Sequence, residues 1–171
     1  MSRIAGSPGA VLYREWKRRY VPVVTTLIAI LLGLFPLVVT SPLIPDIGFL
    51  VLLTWRLLRP EIWMPVAALG FGLFDDLVSG HPIGQSMALW TTIFLALDLI
   101  ELRIDYKDFW FDWFYAALAI IFHGAGAWYI GVLMESHTPF TQLLPQIGFT
   151  ILAYPVMARL VLGFDRWRLS R

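Results

Sequence analysis

The sequence predicts an all-α polytopic membrane protein with six transmembrane helices and both termini in the cytoplasm. Three observations indicate this fold class. The 171 residues are 58% hydrophobic and only 15% charged, and the mean hydropathy is +0.72, which is more apolar surface than one soluble core of this length can bury. Apolar runs alternate with short polar breaks along the chain. All basic residues can be placed on one side of the resulting bundle.

The polar breaks divide the chain into six apolar segments, close to the roughly 20 residues that a spanning helix needs. Each break contains Pro, Gly or charged residues, which interrupt helices. The predicted helices cover about 21–40, 44–58, 62–79, 86–102, 110–134 and 142–163, and the second is the shortest. The predicted organisation is therefore a cytoplasmic N-terminal tail (1–20, disordered over 1–10), a six-helix transmembrane domain (21–163) and a cytoplasmic C-terminal tail (164–171).

The positions of the basic residues predict the orientation of the helices. With six spans, all 13 Lys and Arg residues fall in the segments on the side of the N-terminus. Cytoplasmic loops are the ones that carry such an excess, so both termini are expected in the cytoplasm. The loops on the opposite side are too short for an extracytoplasmic domain, so any activity outside the membrane requires another chain.

Composition and motifs argue against several classes of function. There is no cysteine for a disulfide or thiolate site, and a net charge of +1 gives no indication of a nucleic-acid partner. The sequence contains no Gly-rich phosphate loop, zinc-ligand pair of His at helical spacing or G-x-S-x-G turn. We therefore predict no enzymatic activity, no catalytic residues, no cofactor and no metal site.

Two adjacent carboxylates, Asp75 and Asp76, lie at the outer end of the third predicted helix. Neighbouring residues point about 100° apart on a helix. One carboxylate is therefore expected to face the bundle and the other to face lipid headgroups or a neighbouring subunit. A structural or partner-contact role is favoured, with a cation or proton site as the alternative.

The segment that follows predicts a tight turn. It contains Ser79, Gly80, His81, Pro82 and Gly84, in which Gly supplies positive φ angles while Pro fixes φ and lacks a donor. The histidine is interpreted as an exposed polar residue of the turn rather than as half of a catalytic dyad.

The fifth predicted helix carries a second polar feature. His123 lies near its middle and is followed by the small residues Gly124, Gly126 and Gly131. Small residues let helix backbones approach closely, whereas an ionisable group at membrane depth usually faces the bundle interior or a cavity. Two interpretations stay open: a neutral histidine bonded to a neighbouring helix, or a polar residue that lines a small pocket.

The third helix and its turn resemble the signature of the MreD family of rod shape-determining proteins, a G-x(3)-D-x(2)-S-G-x(3)-G pattern. In that register Asp76, Ser79, Gly80 and Gly84 match the family positions, while Asp75 is an additional acid.

A second point of resemblance lies at the start of the second helix. Pro45 and Asp46 are similar to the family's R-P-D or R-P-N opening, with Ile44 in the place of the usual Arg.

The resemblance implies a fold and a function. The fold is expected to be similar to that of the substrate-binding membrane subunits of energy-coupling-factor transporters. The function is expected to be a non-enzymatic role in rod shape and lateral peptidoglycan synthesis, in the bacterial cytoplasmic (inner) membrane and among its lipids. The expected partner is MreC, in a larger assembly with MreB filaments, RodA and the elongation-specific penicillin-binding protein.

These expectations combine into a scaffold. The single transmembrane helix of MreC is expected to pack on a small-residue face, and Asp76 with the 79–84 turn would form a buried polar anchor at the outer rim. The rival interpretation is a small-molecule or lipid binding or transport subunit, which His123 and the implied fold suggest.

Overall fold

The computed structural model describes residues 8–33, 45–103, 108–135 and 139–169. Within these ranges the chain forms six α-helices and two 3₁₀ turns, and no strand. The helices are α1 (Pro8–Leu32), α2 (Ile47–Leu58), α3 (Pro65–Ser79), α4 (Gln85–Glu101), α5 (Phe109–Leu133) and α6 (Leu144–Leu169), and the turns cover Pro60–Ile62 and Phe140–Gln142. The predicted all-α class and six helices are confirmed for the described residues. That all six cross a bilayer, and that they adopt the transporter-subunit fold, stay predictions.

Two predicted helix ends are wrong. α1 begins at Pro8 instead of residue 21, and α6 continues to Leu169 instead of ending at residue 163. Residues 8–10 are therefore helical, not disordered. Arg, Lys and Glu are good helix formers, so both helices extend beyond the apolar residues on which the prediction relied. Residues 34–40 of the predicted first helix, and Ile44, lie outside the described residues.

The short helix α2 forms the centre of the bundle. All of its residues from Gly48 to Leu57 are buried, and it packs against α1, α5 and α6. Its 12 residues span roughly 18 Å, well below the ~30 Å of a bilayer core. The residue that caps its start, Asp46, lies opposite His123, which is ten residues before the end of α5. α2 therefore begins level with the second half of α5 rather than with the end of that helix.

A proline in α1 creates a link between the first and last helices. Pro22 has no N–H, so the carbonyl of Arg18, four residues earlier, lacks its helical donor. Arg168 of α6 donates to that carbonyl at 2.9 Å. The same guanidinium donates to Asp165 at 2.6 Å, and Asp165 also accepts from Arg59 at 2.6 Å. The broken helical hydrogen bond is thus replaced by a contact that fixes α6 against α1 and the end of α2.

A second ion-pair cluster joins the ends of α2 and α4. Arg56, which is 1% exposed, donates to Glu101 at 2.9 and 3.1 Å and also pairs with Asp98. Arg56 thus offsets the charge of two acidic side chains of α4. The Arg56 cluster and the Asp165 cluster both lie at the end of the bundle where α2 ends, and basic residues are therefore concentrated there, as the basic-residue pattern predicts.

The exterior of α3 to α6 is apolar. Many large hydrophobic side chains have more than half of their surface exposed, among them Val66, Leu77, Leu99, Leu118, Leu133 and Leu152. Soluble monomers rarely expose contiguous apolar surface on this scale. Two segments, Phe109–Leu133 and Phe140–Leu169, are long and apolar enough to cross a membrane. An apolar exterior with polar clusters inside supports a membrane-embedded bundle.

Replacing Arg56 by Ala is expected to destabilise the bundle, because Asp98 and Glu101 then lie together without the cation. Removing one partner of a fully buried ion pair costs about 3–5 kcal/mol. The two acidic side chains are 40% and 30% exposed, so hydration offsets part of this, and we expect a loss of about 2 kcal/mol. Thermal unfolding of the detergent-solubilised protein measures it. Arg166→Ala, an exposed site beside Asp165, is the control and should change stability by less than about 0.5 kcal/mol; equal losses in both variants would contradict the assignment.

Candidate functional site

The turn between α3 and α4 is built on two glycines in the left-handed region. Gly80 ends α3 with φ 70°, and Gly84 precedes α4 with φ 99°. Residues with a Cβ rarely adopt these angles. The carbonyl of Pro82, which lies between the two glycines, accepts a hydrogen bond at 3.0 Å from the N–H of Gln85, the first residue of α4. We call α3, this turn and α4 the α3–α4 hairpin.

The carboxylate of Asp76 caps the N-terminus of α4. Its Oδ2 accepts from the backbone N–H of Gly84 at 2.9 Å, and its Oδ1 accepts from that of Ser86 at 2.7 Å. The first N–H groups of a helix have no partner within the helix, and Gly84, the N-cap residue, has no side chain to supply one. Asp76, which is 1% exposed, supplies the acceptors from α3, and its charge lies at the positive end of the α4 dipole.

A glycine one turn earlier permits this contact. A Cβ on Gly72 would lie 2.6 Å from the N and Cα atoms of Met87, which are backbone atoms of the first turn of α4. Residues four apart share a helix face, so Gly72 and Asp76 both face α4. The missing side chain at Gly72 lets the start of α4 come close enough for the Asp76 carboxylate to bond its N–H groups.

The expectation that only one of the two carboxylates faces the bundle is wrong. Asp75 is also buried, at 4% exposure. Its Oδ2 accepts from the Ser86 hydroxyl at 2.8 Å, and its Oδ1 accepts from the Ser79 hydroxyl at 3.3 Å. Ser86 lies between the two acids, because its N–H bonds Asp76 while its hydroxyl bonds Asp75. Both carboxylates therefore contact the start of α4, although they point in different directions from α3.

Asp75, Asp76 and His81 form a group with the composition of a cation site. One potential ligand atom from each lies within 4.8 Å of the others. However, all four carboxylate oxygens already accept hydrogen bonds from the hairpin itself. The geometry therefore fits helix capping better than metal binding.

The imidazole of His81 contacts this group from the turn. Its Nδ1 lies 3.5 Å from Oδ2 of Asp75, and hydrogen bonding to that carboxylate raises the pKa of His81 above its ordinary value. The nearby hydroxyls of Ser79 and Ser86 donate to Asp75 rather than to the imidazole. Among the described residues of the hairpin, no serine is thus activated by a histidine in the manner of a hydrolase.

The small residues of α5 pack within the chain. A Cβ on Gly124 would meet the Ile147 side chain at 2.7 Å, and one on Gly126 would meet Leu89 at 2.4 Å. α6 and α4 thus fill the space at these two positions. The close packing at Gly124 and Gly126 is therefore with helices of the same chain.

His123 faces a cavity of about 300 Å³, which Gly131 and His81 also line. Its Nδ1 lies 3.9 Å from Oδ2 of Asp46. Asp46 follows Pro45 and caps α2, where its Oδ1 accepts from the N–H of Phe49 at 3.0 Å. The structure thus brings together His123, Asp46 and the 80–84 turn, which are far apart in the sequence.

Sequence reasoning missed Ser86 and the function of Gly72. The i, i+4 spacing of Gly72 and Asp76 was available as a signal that both lie on one helix face. By contrast, no sequence pattern indicates that Ser86, eleven residues after Asp75, contacts both acids, because this depends on how the turn closes.

The fold and the site together define an all-helical membrane protein whose polar groups serve mainly to join helices. Comparison with protein families gives the specific class: the sequence model of the family described as rod shape-determining protein MreD matches residues 14–166. The chain therefore belongs to the MreD family, as the motif in α3 and its turn predicts, and this membership implies involvement in rod-shape determination. Searches of curated proteins and of solved structures gave no match.

Gly72→Ala is expected to destabilise the hairpin, because the added methyl group collides with the backbone of α4 and weakens the Asp76 cap. Overpacking of this kind typically costs about 1–3 kcal/mol. Gly70→Ala is the matched control in the same helix, since a Cβ there meets nothing within 4 Å; Ala should stabilise α3 by up to about 1 kcal/mol. Thermal unfolding in detergent compares the two, and an equal effect of both substitutions would show that the close approach at Gly72 is unimportant.

The pair of His81 and Asp75 predicts a pH-dependent contribution to stability. Because the folded-state pKa of His81 is raised, its contribution is fully present below the ordinary value of 6.5 and is lost as the pH rises through the raised pKa. The effect should be modest, since the His81 side chain is 42% exposed. We expect His81→Gln to lower the unfolding temperature at about pH 5 and to have little effect at about pH 9. A difference between variant and wild type that is the same at both pH values would contradict this.

Proposed function

We propose that the chain is a non-enzymatic scaffold of the bacterial cell-elongation machinery, held in the cytoplasmic (inner) membrane by six spanning helices. The observation that carries the proposal is the family match over residues 14–166. In this proposal the chain supports rod shape and lateral peptidoglycan synthesis by binding MreC. MreB, RodA and the elongation-specific penicillin-binding protein belong to the larger assembly.

The geometry of the α3–α4 hairpin supports a structural role. A reaction centre presents its acids and bases to a substrate, whereas Asp75 and Asp76 are buried and bonded to the start of α4. Their effect is to fix α3 relative to α4. The family motif therefore holds a helix in place, which is what a scaffold requires if that helix carries a binding surface.

The outer face of α3 is the surface that we propose for the MreC transmembrane helix. It presents an exposed apolar stripe at helical spacing, formed by Val66, Leu69, Gly70, Leu73 and Leu77. The centre of this stripe is open, because a Cβ on Gly70 meets nothing within 4 Å. Small residues at such a position allow close helix packing in membranes. The glycines Gly124 and Gly126 of α5 are less suited to this role, because α6 and α4 already cover them.

The test is depletion of the chain in its own host, followed by complementation with epitope-tagged variants. Depletion should convert rods into rounded cells, and the tagged wild-type chain should co-purify with MreC. Gly70→Leu should reduce co-purification roughly tenfold, the effect of about 1.4 kcal/mol of lost packing, without lowering the abundance of the chain. Gly163→Leu is the matched control on α6, where a Cβ also meets nothing within 4 Å, and it should leave association unchanged.

The outcomes test the proposed function, the α3 contact face and the Asp76 anchor separately. Unchanged cell shape after depletion, with no MreC recovered, would refute the proposed function. Normal MreC recovery with Gly70→Leu would refute only the α3 face. Asp76→Ala should lower the abundance of the chain through loss of the α4 cap; normal abundance, MreC recovery and rod shape would show that the anchor is dispensable.

A further inference from the structure

The cavity beside His123 has the features of a ligand site. It lies among the starts of α2, α4 and α6 and the second half of α5, and its volume is about 300 Å³, at the lower end of the range for small-molecule sites. Its wall combines apolar side chains such as Ile120 and Leu143 with polar groups from four different elements. Such a mixture is typical of pockets that bind a small ligand in one orientation.

The imidazole of His123 is held in a fixed orientation. Its Nε2 lies 3.1 Å from the indole N–H of Trp90, and because that group can only donate, Nε2 carries no proton. The proton of the neutral ring is therefore on Nδ1, the atom that faces Asp46. Phe49 stacks on the ring with centroids 4.4 Å apart. Two partners on other helices thus orient the ring, and its second nitrogen, Nδ1, faces the cavity.

One oxygen of the Asp46 carboxylate accepts no hydrogen bond within the described part of the chain. Its Oδ1 caps α2, whereas its Oδ2 lies 3.9 Å from Nδ1 of His123, which is beyond hydrogen-bond distance. Among the described residues none donates a hydrogen bond to Oδ2. The Asp46 side chain is 25% exposed, so this oxygen is accessible to a ligand that donates a hydrogen bond, and hydrogen bonds to charged groups are stronger than those between neutral groups.

The charges around the cavity select the sign of the ligand. The described residues that line it include Asp46 but no Lys or Arg. The indole ring of Trp128 belongs to the same wall, and aromatic faces favour cations. A cation therefore finds the oxygen of a carboxylate in this wall, whereas an anion meets the negative charge of Asp46 without a Lys or Arg to offset it.

We propose that this cavity binds a primary ammonium group carried on a short carbon chain, with Oδ2 of Asp46 as its counter-ion. The ammonium donates to Asp46, and the apolar part packs against the walls of the cavity. Two sources carry this chemistry: a free organic amine, or the headgroup of phosphatidylethanolamine. The site does not depend on the scaffold function and is tested separately from it.

The experiment uses the full chain in detergent with 2-phenylethylammonium and its uncharged counterpart 2-phenylethanol as probes. Binding measured by calorimetry should be at least about tenfold tighter for the ammonium, as expected for a hydrogen bond to a charged group. Asp46→Asn should remove this preference, while its amide oxygen still caps α2. Asp108→Asn, an exposed acid at the start of α5 that makes no side-chain cap, is the matched control and should bind as the wild type does.

The source of the ammonium is distinguished by native mass spectrometry of protein taken from vesicles of phosphatidylethanolamine and phosphatidylglycerol. Retention of phosphatidylethanolamine by the wild type, but not by Asp46→Asn, identifies the lipid headgroup. Binding of 2-phenylethylammonium without lipid retention identifies a free amine; both results support the site. Equal affinity for the ammonium and the alcohol, or unchanged ammonium binding in Asp46→Asn, would overturn it.

Discussion

The first backbone N–H groups of a helix have no acceptor within that helix, and the α3–α4 hairpin is organised around the need to supply one. Asp76 supplies acceptors to the N–H groups of Gly84 and Ser86. The other features of the hairpin follow from this contact. Gly72 allows the two helices to approach, Gly80 and Gly84 provide the turn that brings α4 back toward α3, and Ser86 connects the second carboxylate, Asp75, to the same helix start.

The same requirement explains contacts at other helix positions. Asp46 caps α2, and Arg168 donates to the carbonyl of Arg18 that Pro22 leaves without a helical donor. In both places a charged side chain satisfies a backbone group, and Arg168 also joins α6 to α1, which is distant in the sequence. Since lipid-facing surfaces add no hydrophobic driving force between helices, such polar contacts, together with the buried surface of α2, define how these helices pack.

The sequence was sufficient to predict the number of helices among the described residues and the family, because apolar runs and motif residues are local signals. It was insufficient where a residue's environment depends on a neighbouring helix. Only one of Asp75 and Asp76 was expected to face the bundle, yet both are buried. Helical geometry gives the angle between two neighbouring side chains, but it does not show how much of the helix surface a neighbouring helix covers. The start of α1 was misplaced for a related reason: hydropathy marks the membrane-length core of a helix, while the helix itself continues through charged residues with good helical propensity.

His81 connects the two polar regions of this end of the bundle. Its Nδ1 contacts Asp75 of the hairpin, and its side chain also lines the cavity that Asp46 and His123 share. The cap that fixes α3 and the wall of the cavity are therefore one continuous structure. A substitution that loosens the α4 cap also displaces a wall of the cavity, so a loss of ligand binding by itself does not assign a residue to the ligand site. Asp46→Asn avoids this ambiguity, because Asp46 contacts the cavity from α2 and its own cap is retained by the amide oxygen.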